Sequence, residues 1–303
     1  MNTIERALQK KKQESAELKK NQSNKEAAAV TPQPQTTIER AETRVVTEQV
    51  PLKSPELSTG QTIEIDLDML EEKGFVSTNA RRQLINEEYR AIKRKILGNA
   101  FGALSKSLKN SNIIMVTSTN PGEGKTFTAV NLALSIALEK DKTVLLVDAD
   151  VLRPNVMRTL EMENKDGLME YLLGEKGDIS EIMCKTNLEN LRIIPAGKSH
   201  HLSTELLASE KMYDAVEEFA NRYPDRVVIV DTPPLLGINE TAILANLAGQ
   251  AIVVAEEGKT KLADIQKAVS QLHPEMAIGF VVNKAQKMNN DDHGYGYYYA
   301  GAN

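Results

Sequence analysis

One stretch of sequence restricts this chain more than any other. The apolar run at residues 112–118 (NIIMVTS) feeds into Thr-Asn-Pro-Gly-Glu-Gly-Lys-Thr at 119–126, and a helical pattern, FTAVNLALSIAL, follows. A Gly-Lys-Thr turn that leaves a buried strand and opens a helix is the sequence form of a phosphate-binding loop. Gly122 and Gly124 let backbone N–H groups face phosphate oxygens. Lys125 reaches the β and γ oxygens, and Thr126 offers its hydroxyl to Mg²⁺ at the positive end of a helix. Pro121, Glu123 and Phe127 complete the expected nucleotide-contacting segment. The consensus loop begins with Gly, and Thr119 stands in its place.

The rest of the pattern supports such a site. Further β-type runs occur at 143–150 (TVLLVDAD), 191–197 (LRIIPAG), 226–231 (RVVIVD), 251–256 (AIVVAE) and 277–283 (AIGFVVN). Helical spacing is expected over 79–97 and 204–222. Strands apolar on both faces and separated by helices predict a mostly parallel sheet flanked by helices, an α/β sandwich. Asp148 and Asp150 end one of these runs and Asp231 ends another, and ligands bind at that edge of a parallel sheet. Carboxylates placed there can hold hydrated Mg²⁺ and accept a proton from an attacking hydroxyl. A lone strand-end aspartate serves equally as a helix cap, but three beside a phosphate loop favour a nucleotide site. Arg153 either steadies phosphate charge or makes a surface salt bridge.

Composition bounds the remaining choices. With 303 residues, 41% of them hydrophobic, the chain is long enough to bury a substantial core. The single Cys184 excludes a disulfide framework and a Cys-rich metal site. The formal net charge of -5 argues against a nucleic-acid partner. The opening MNTIERALQKKK lacks the apolar run of a signal peptide, and no stretch resembles a membrane span, so a cytoplasmic protein is expected. Residues 1–20 read as a short basic helix, either frayed or docking on a partner. Residues 21–78, rich in Thr, Gln, Glu and Pro, read as a disordered linker, and 79–285 as the folded domain. Tyr89, Tyr171, Tyr213 and Tyr223 are expected to pack within it. Residues 286–303 read as a flexible tail carrying Tyr295, Tyr297, Tyr298 and Tyr299, either a sticky low-complexity end or a phosphoacceptor cluster.

Taken together, PGEGKT, LLVDADVLRP, VVIVDTPPLL, the helix EEYRAIKRKIL and the tyrosine-rich end resemble the bacterial tyrosine kinases, a P-loop NTPase family. Phrases such as ELLAS and RYPDR are most similar to the free-standing autokinases found beside exopolysaccharide gene clusters. The resemblance implies an ATP- and Mg²⁺-dependent tyrosine autokinase. In it, Lys125 and Thr126 bind ATP–Mg²⁺, Asp148 and Asp150 lie at the metal and the acceptor hydroxyl, and Asp231 completes the metal site. It implies transfer to the tail tyrosines in trans within a ring-type homo-oligomer, with exopolysaccharide chain length or export as the regulated process. The family's Glu-x-x-Arg-x-x-Arg oligomerisation pattern falls on Glu87, Arg90 and Lys93, with lysine where arginine is usual. Their alternative is an exposed helix face with weak i,i+3 pairs. Asn283, after the last strand, is either an adenine contact, as in related P-loop ATPases, or a loop cap. The implied partners are the cytoplasmic segment of a membrane chain-length protein, which would recruit the kinase to the inner membrane face, and a tyrosine phosphatase. The competing readings are a partitioning-type P-loop ATPase switch, which usually carries a second lysine where Thr119 stands, and a nucleotide-gated binding module.

Overall fold

The computed structural model describes residues 61–77 and 83–285. The expected basic helix at 1–20, linker residues 21–60 and 78, the first residues 79–82 of the expected domain, and the tail with Tyr295, Tyr297, Tyr298 and Tyr299 lie outside the described residues.

Among the described residues the strands are β1 (Thr62–Ile63), β2 (Ile113–Ser118), β3 (Thr143–Asp148), β4 (Cys184–Thr186), β5 (Leu191–Ile194), β6 (Arg226–Asp231), β7 (Gln250–Glu256) and β8 (Ala277–Asn283). They form one sheet in the order β1-β4-β5-β3-β6-β2-β7-β8. The β4–β5 pair is antiparallel, and the other pairs are parallel. The helices are α1 (Leu67–Glu72), α2 (Leu84–Phe101), α3 (Lys125–Ala137), α4 (Val156–Thr159), α5 (Leu168–Leu173), α6 (Ile179–Ile182), α7 (Ser203–Leu207), α8 (Glu210–Asn221), α9 (Asn239–Ala245) and α10 (Leu262–Val269). None is long and apolar enough to cross a membrane.

The period-2 geometry of a strand explains why the central runs are apolar throughout. Ile114, Val116, Val144, Leu146, Val227 and Ile229 point to one face, where α3 supplies Leu132, Leu134 and Ile136. Their sequence neighbours Ile113, Leu145, Val147, Val228 and Val230 point to the other, against Met212, Val216 and Phe219 of α8. Each fully buried aliphatic side chain contributes about 1.5–3 kcal/mol relative to exposure. The outer strand β8 departs from the expected two-sided burial, because Phe280 is 55% and Val282 61% exposed at the sheet edge.

The linker expectation fails for residues 61–77. Ile63, Ile65, Leu70, Phe75 and Val76 are buried in the core. Asn187 exchanges two 3.0 Å bonds with the Ile65 backbone, and the Val76 N–H donates to Asn131 Oδ1 of α3 at 2.6 Å. Composition hid this segment because its apolar residues are few, yet Ile63 and Ile65 alternate with Thr62, Glu64 and Asp66, which is the strand signal.

Helix α2 brings a second correction. Its buried positions are Tyr89, Lys93, Ile96 and Ala100, one stripe at helical spacing. Lys93 therefore points inward: Nζ donates to Ser135 O at 2.9 Å and pairs with Glu139 at 2.5 Å. Glu87 and Arg90 form an exposed i,i+3 pair. The three residues of the expected oligomerisation pattern do not share a surface. Of the tyrosines expected to pack, Tyr89 and Tyr171 are buried, whereas Tyr213 is 46% exposed.

Candidate active site

The carboxyl ends of β2, β3 and β6 meet at the start of α3. Gly122 and Gly124 have φ of +83° and +99°, left-handed values that turn successive backbone N–H groups inward above the helix start. Position 124 admits only glycine for a second reason. A Cβ there would lie 2.0 Å from Asn283 Nδ2.

The loop is braced from β7 and β8. Glu123, expected among the nucleotide contacts, is buried and spends its carboxylate inside the protein. It accepts from Asn120 N at 2.9 Å and from Thr260 Oγ1 at 2.6 Å. Asn283 Nδ2 donates to Glu123 O at 2.9 Å. Lys284 Nζ donates to Gly122 O at 2.8 Å and to Glu256 at 2.9 Å. Asn283 thus sits beneath the loop, and Thr260 and Lys284 are positioning residues absent from the sequence reading.

Asp148 and Asp231 are register partners across β3 and β6 and so project to the same face. Lys125 Nζ lies 2.7 Å from Asp150 Oδ2 and 3.8 Å from Asp231 Oδ1. Thr126 Oγ1 donates to Asp231 Oδ2 at 2.6 Å. Asp148 Oδ2 accepts from Asn155 N at 3.0 Å and Val156 N at 2.9 Å, at the start of α4. The cap expected as the alternative for a strand-end aspartate is therefore realised at Asp148. Asp150 accepts from Arg153 N, which fixes the loop that aims the Asp150 carboxylate at the lysine.

Burial would lower the Lys125 ammonium, but the charges of Asp231 and Asp150 outweigh it and leave it raised. Asp148 is raised, first by burial and then by the Asp231 charge, against the backbone N–H groups of Val156 and Asn155. Asp231 is raised by burial, with Lys125 and Thr126 opposing. Perturbed carboxylates around one lysine are characteristic of a functional site.

Two buried polar atoms lack a hydrogen-bond partner among the described residues, Thr119 Oγ1 and Asp231 Oδ1, and both belong to this site. Among the described residues no group of three His, Cys, Asp or Glu side chains is arranged to hold a metal. Mg²⁺ usually takes one or two carboxylates, with water and phosphate oxygens supplying the rest. The Asp231 oxygen that accepts no hydrogen bond, beside the Thr126 hydroxyl, is a hard-oxygen donor set that fits it.

The loop faces a cleft of about 880 Å³, within the range that encloses a ligand larger than a phosphate chain. Pro121, Gly122, Gly124, Lys125, Thr126 and Phe127 line one side, with Phe127 tilted against Phe75 at a centroid separation of 4.7 Å. Asp150, Arg153 and Arg158 line another. The Arg153 side chain makes no ion pair among the described residues. Arg158 was not singled out by the sequence. Its signal was position, on the first short helix after the Asp148 strand.

The comparisons with known proteins agree with this geometry. Residues 111–276 match the family profile described as an AAA domain. The tyrosine-protein kinase YwqD of Bacillus subtilis is 31% identical over 226 residues, which cover 74% of this chain and 91% of YwqD. The tyrosine-protein kinase wzc of Salmonella typhimurium is 32% identical over 190 residues, 62% of this chain but 26% of that longer protein. The solved BceF tyrosine kinase domain superposes with a TM-score of 0.59 at 26% identity, covering 73% of this chain and 91% of that domain. A nucleotide-binding loop, a strand-end aspartate pair in register and near full-length similarity to YwqD lead to one conclusion: the chain belongs to the bacterial tyrosine kinase family.

Proposed function

We propose that this protein is an ATP-dependent protein-tyrosine autokinase that phosphorylates its C-terminal tyrosines and regulates exopolysaccharide chain length or export. The observation that carries this reading is the Lys125–Asp150–Asp231–Thr126 constellation at the mouth of a cleft large enough for a nucleotide and an incoming side chain.

The loop N–H groups and Lys125 hold the β and γ phosphates of ATP. Thr126 and Asp231 are the residues that would hold Mg²⁺, with Asp148 beside them. When bound, the cation neutralises charge on the transferring phosphoryl group. Asp150, released as Lys125 exchanges it for phosphate oxygens, accepts the proton of the acceptor phenol. The phenol oxygen bonds to the γ-phosphorus, the bond from that phosphorus to the β–γ bridging oxygen breaks, and ADP leaves with that electron pair. Arg153 and Arg158 steady the charge on the cleft's other wall.

The acceptors are Tyr295, Tyr297, Tyr298 and Tyr299, reached in trans within a ring-type homo-oligomer in which the exposed Glu87–Arg90 pair makes a contact. The reading includes docking on the cytoplasmic segment of a membrane chain-length protein, recruitment to the inner membrane face and reversal by a tyrosine phosphatase. Intact mass and phosphosite mapping after incubation with ATP and Mg²⁺ test the proposal on wild type, Lys125→Ala and a chain ending at Asp292. ATP-dependent phosphate on Tyr295–Tyr299, absent from the lysine variant, is the expected result. ATP hydrolysis without tyrosine phosphate, even with a partner's cytoplasmic segment added, would instead favour the partitioning-type ATPase switch.

A further inference from the structure

Residues 222–226, Arg-Tyr-Pro-Asp-Arg, lie at the edge of the sheet opposite the phosphate loop, and the kinase chemistry does not use them. Arg226 opens β6 and Asp231 closes it, a separation of about 17 Å at the usual strand rise. A cavity of about 260 Å³ opens at that edge, between the starts of β3 and β6 and the β4–β5 pair. Its lining carries four cations, Lys185, Arg192, Arg222 and Arg226, against two carboxylates, Glu189 and Asp225. Met183 and the Tyr223 ring form less polar wall.

Arg226 is the unusual member. It is only 8% exposed, and its guanidinium stacks over the Tyr223 ring at 4.1 Å. Stacking covers one face of the guanidinium and leaves its in-plane N–H donors, which have no ion-pair or hydrogen-bond partner among the described residues. The other arginines are already held. Arg222 pairs with Glu218, and Arg192 Nη1 donates to the Glu189 and Leu191 carbonyls at 2.9 and 3.0 Å. The nearby Asp225 supplies opposite charge without forming an ion pair, and the guanidinium fork matches the geometry of carboxylate or phosphate. Burial, with Arg222 and Arg192 adding to it, holds the Arg226 guanidinium below its ordinary range despite Tyr223 and Asp225.

We propose that this cavity binds a phosphotyrosine side chain, with Arg226 pairing edge-on to the phosphate and Tyr223 and Met183 facing the ring. Two features favour that class over a bare anion or a nucleotide. The cation excess suits a dianion carried by an apolar body. The volume lies below the range of about 300–1,000 Å³ typical of drug-sized ligands, which fits one side chain better than a nucleotide. The source at hand is the Tyr295–Tyr299 cluster, preceded in sequence by Asp291 and Asp292, whose charge complements Lys185 and Arg222. The source rests on the autokinase reading, but the binding chemistry does not.

The test measures fluorescence anisotropy of a labelled peptide of residues 289–303 phosphorylated on Tyr297. The protein is the full-length Lys125→Ala chain, which cannot phosphorylate its own tail. The expected result is affinity about ten-fold or more above that of the unphosphorylated peptide. Free phosphotyrosine should compete, and inorganic phosphate should compete about ten-fold less well. Arg226→Met should lose that gain with thermal melting and ATP binding unchanged. Should that variant melt early, Arg192→Gln, at a half-buried position, should still weaken binding several-fold. Equal affinity for both peptides, equal competition by phosphate, or wild-type binding in both arginine variants would overturn the proposal. Autophosphorylation is read separately, by the mass of the wild type with ATP, so its failure leaves the peptide result intact.

Discussion

Replacing Lys93 by alanine separates a structural lysine from a surface one. Its side chain is 7% exposed and its partner Glu139 36%. Removing it deletes a charge-assisted bond to Ser135 O and the ion pair to Glu139. A charge-assisted hydrogen bond contributes about 1.5–3 kcal/mol. Loss of the buried aliphatic stem adds about 1–2 kcal/mol. Breaking a fully buried pair would cost about 3–5 kcal/mol, but water can reach Glu139, so the discounted total is about 3 kcal/mol. At about 2–4 °C per kcal/mol for a domain of this size, Lys93→Ala should melt about 6–12 °C below wild type. Lys93→Met, which keeps the stem, should lose about half of that. Arg90→Ala breaks an exposed pair worth at most about 0.5 kcal/mol, so its melt should not move even if its oligomer dissociates. Thermal unfolding and native mass spectrometry read the two effects independently. A Lys93→Ala protein that melts like wild type while losing its oligomer would refute the inward placement.

Three further outcomes follow from the site. Gly124→Ala forces a side chain into φ of +99° against Asn283, a strain of about 1–2 kcal/mol before any clash. Binding of a fluorescent ATP analogue should fall by ten-fold or more, and trimming Asn283 to alanine should restore only part of it. Because Asp148 and Asp231 are raised in the folded state, the unfolded chain releases their protons first. Stability of the nucleotide-free protein should therefore fall as pH rises from about 4 toward neutrality, and Asp231→Asn should flatten that slope in thermal melts; a rising profile would contradict the assignment. Thr260→Val removes a donor to Glu123 and the acceptor for Glu256 N. It should cost about 1–3 kcal/mol in urea unfolding and raise the KM for ATP more than it lowers kcat.

The parts legible in the sequence were those whose structure is local. A strand, a turn with two left-handed glycines and a helix specify one another over a few residues, so the loop and the aspartate-ended strands lay where the pattern put them. Errors arose where burial depends on a distant partner. Lys93 lies on the 89–93–96–100 stripe, yet a charge inside a stripe reads as surface until α3 offers Ser135 O and Glu139. Strand β4 is three residues long and antiparallel, too short to carry a period. Residues 61–77 bury a handful of side chains spread among polar ones, and composition averaged them away. The apolar run of β8 implied cover on both sides, whereas its place at the sheet edge leaves Phe280 and Val282 exposed. Arg158 enters the site because Asp148 caps α4 and thereby turns it toward the cleft.

Asn283 and Lys284 fasten the chain to Glu123 O and Gly122 O just before the tyrosine-bearing end begins. The tail tyrosines are thus leashed to the nucleotide loop itself. Tyr295 lies ten Cα–Cα steps beyond Ala285 and Tyr299 fourteen. Bond lengths alone then confine the tyrosines within about 36–50 Å of that anchor. One molecule confined to a sphere of that size has a local concentration of at least a few millimolar (~3–8 mM). Encounter between a tail and the neighbourhood of its own cleft therefore does not depend on how much protein is present. If the reaction nevertheless slows on dilution, the limiting event is assembly with a second subunit, and the leash has delivered the tyrosine to a cleft that it does not use.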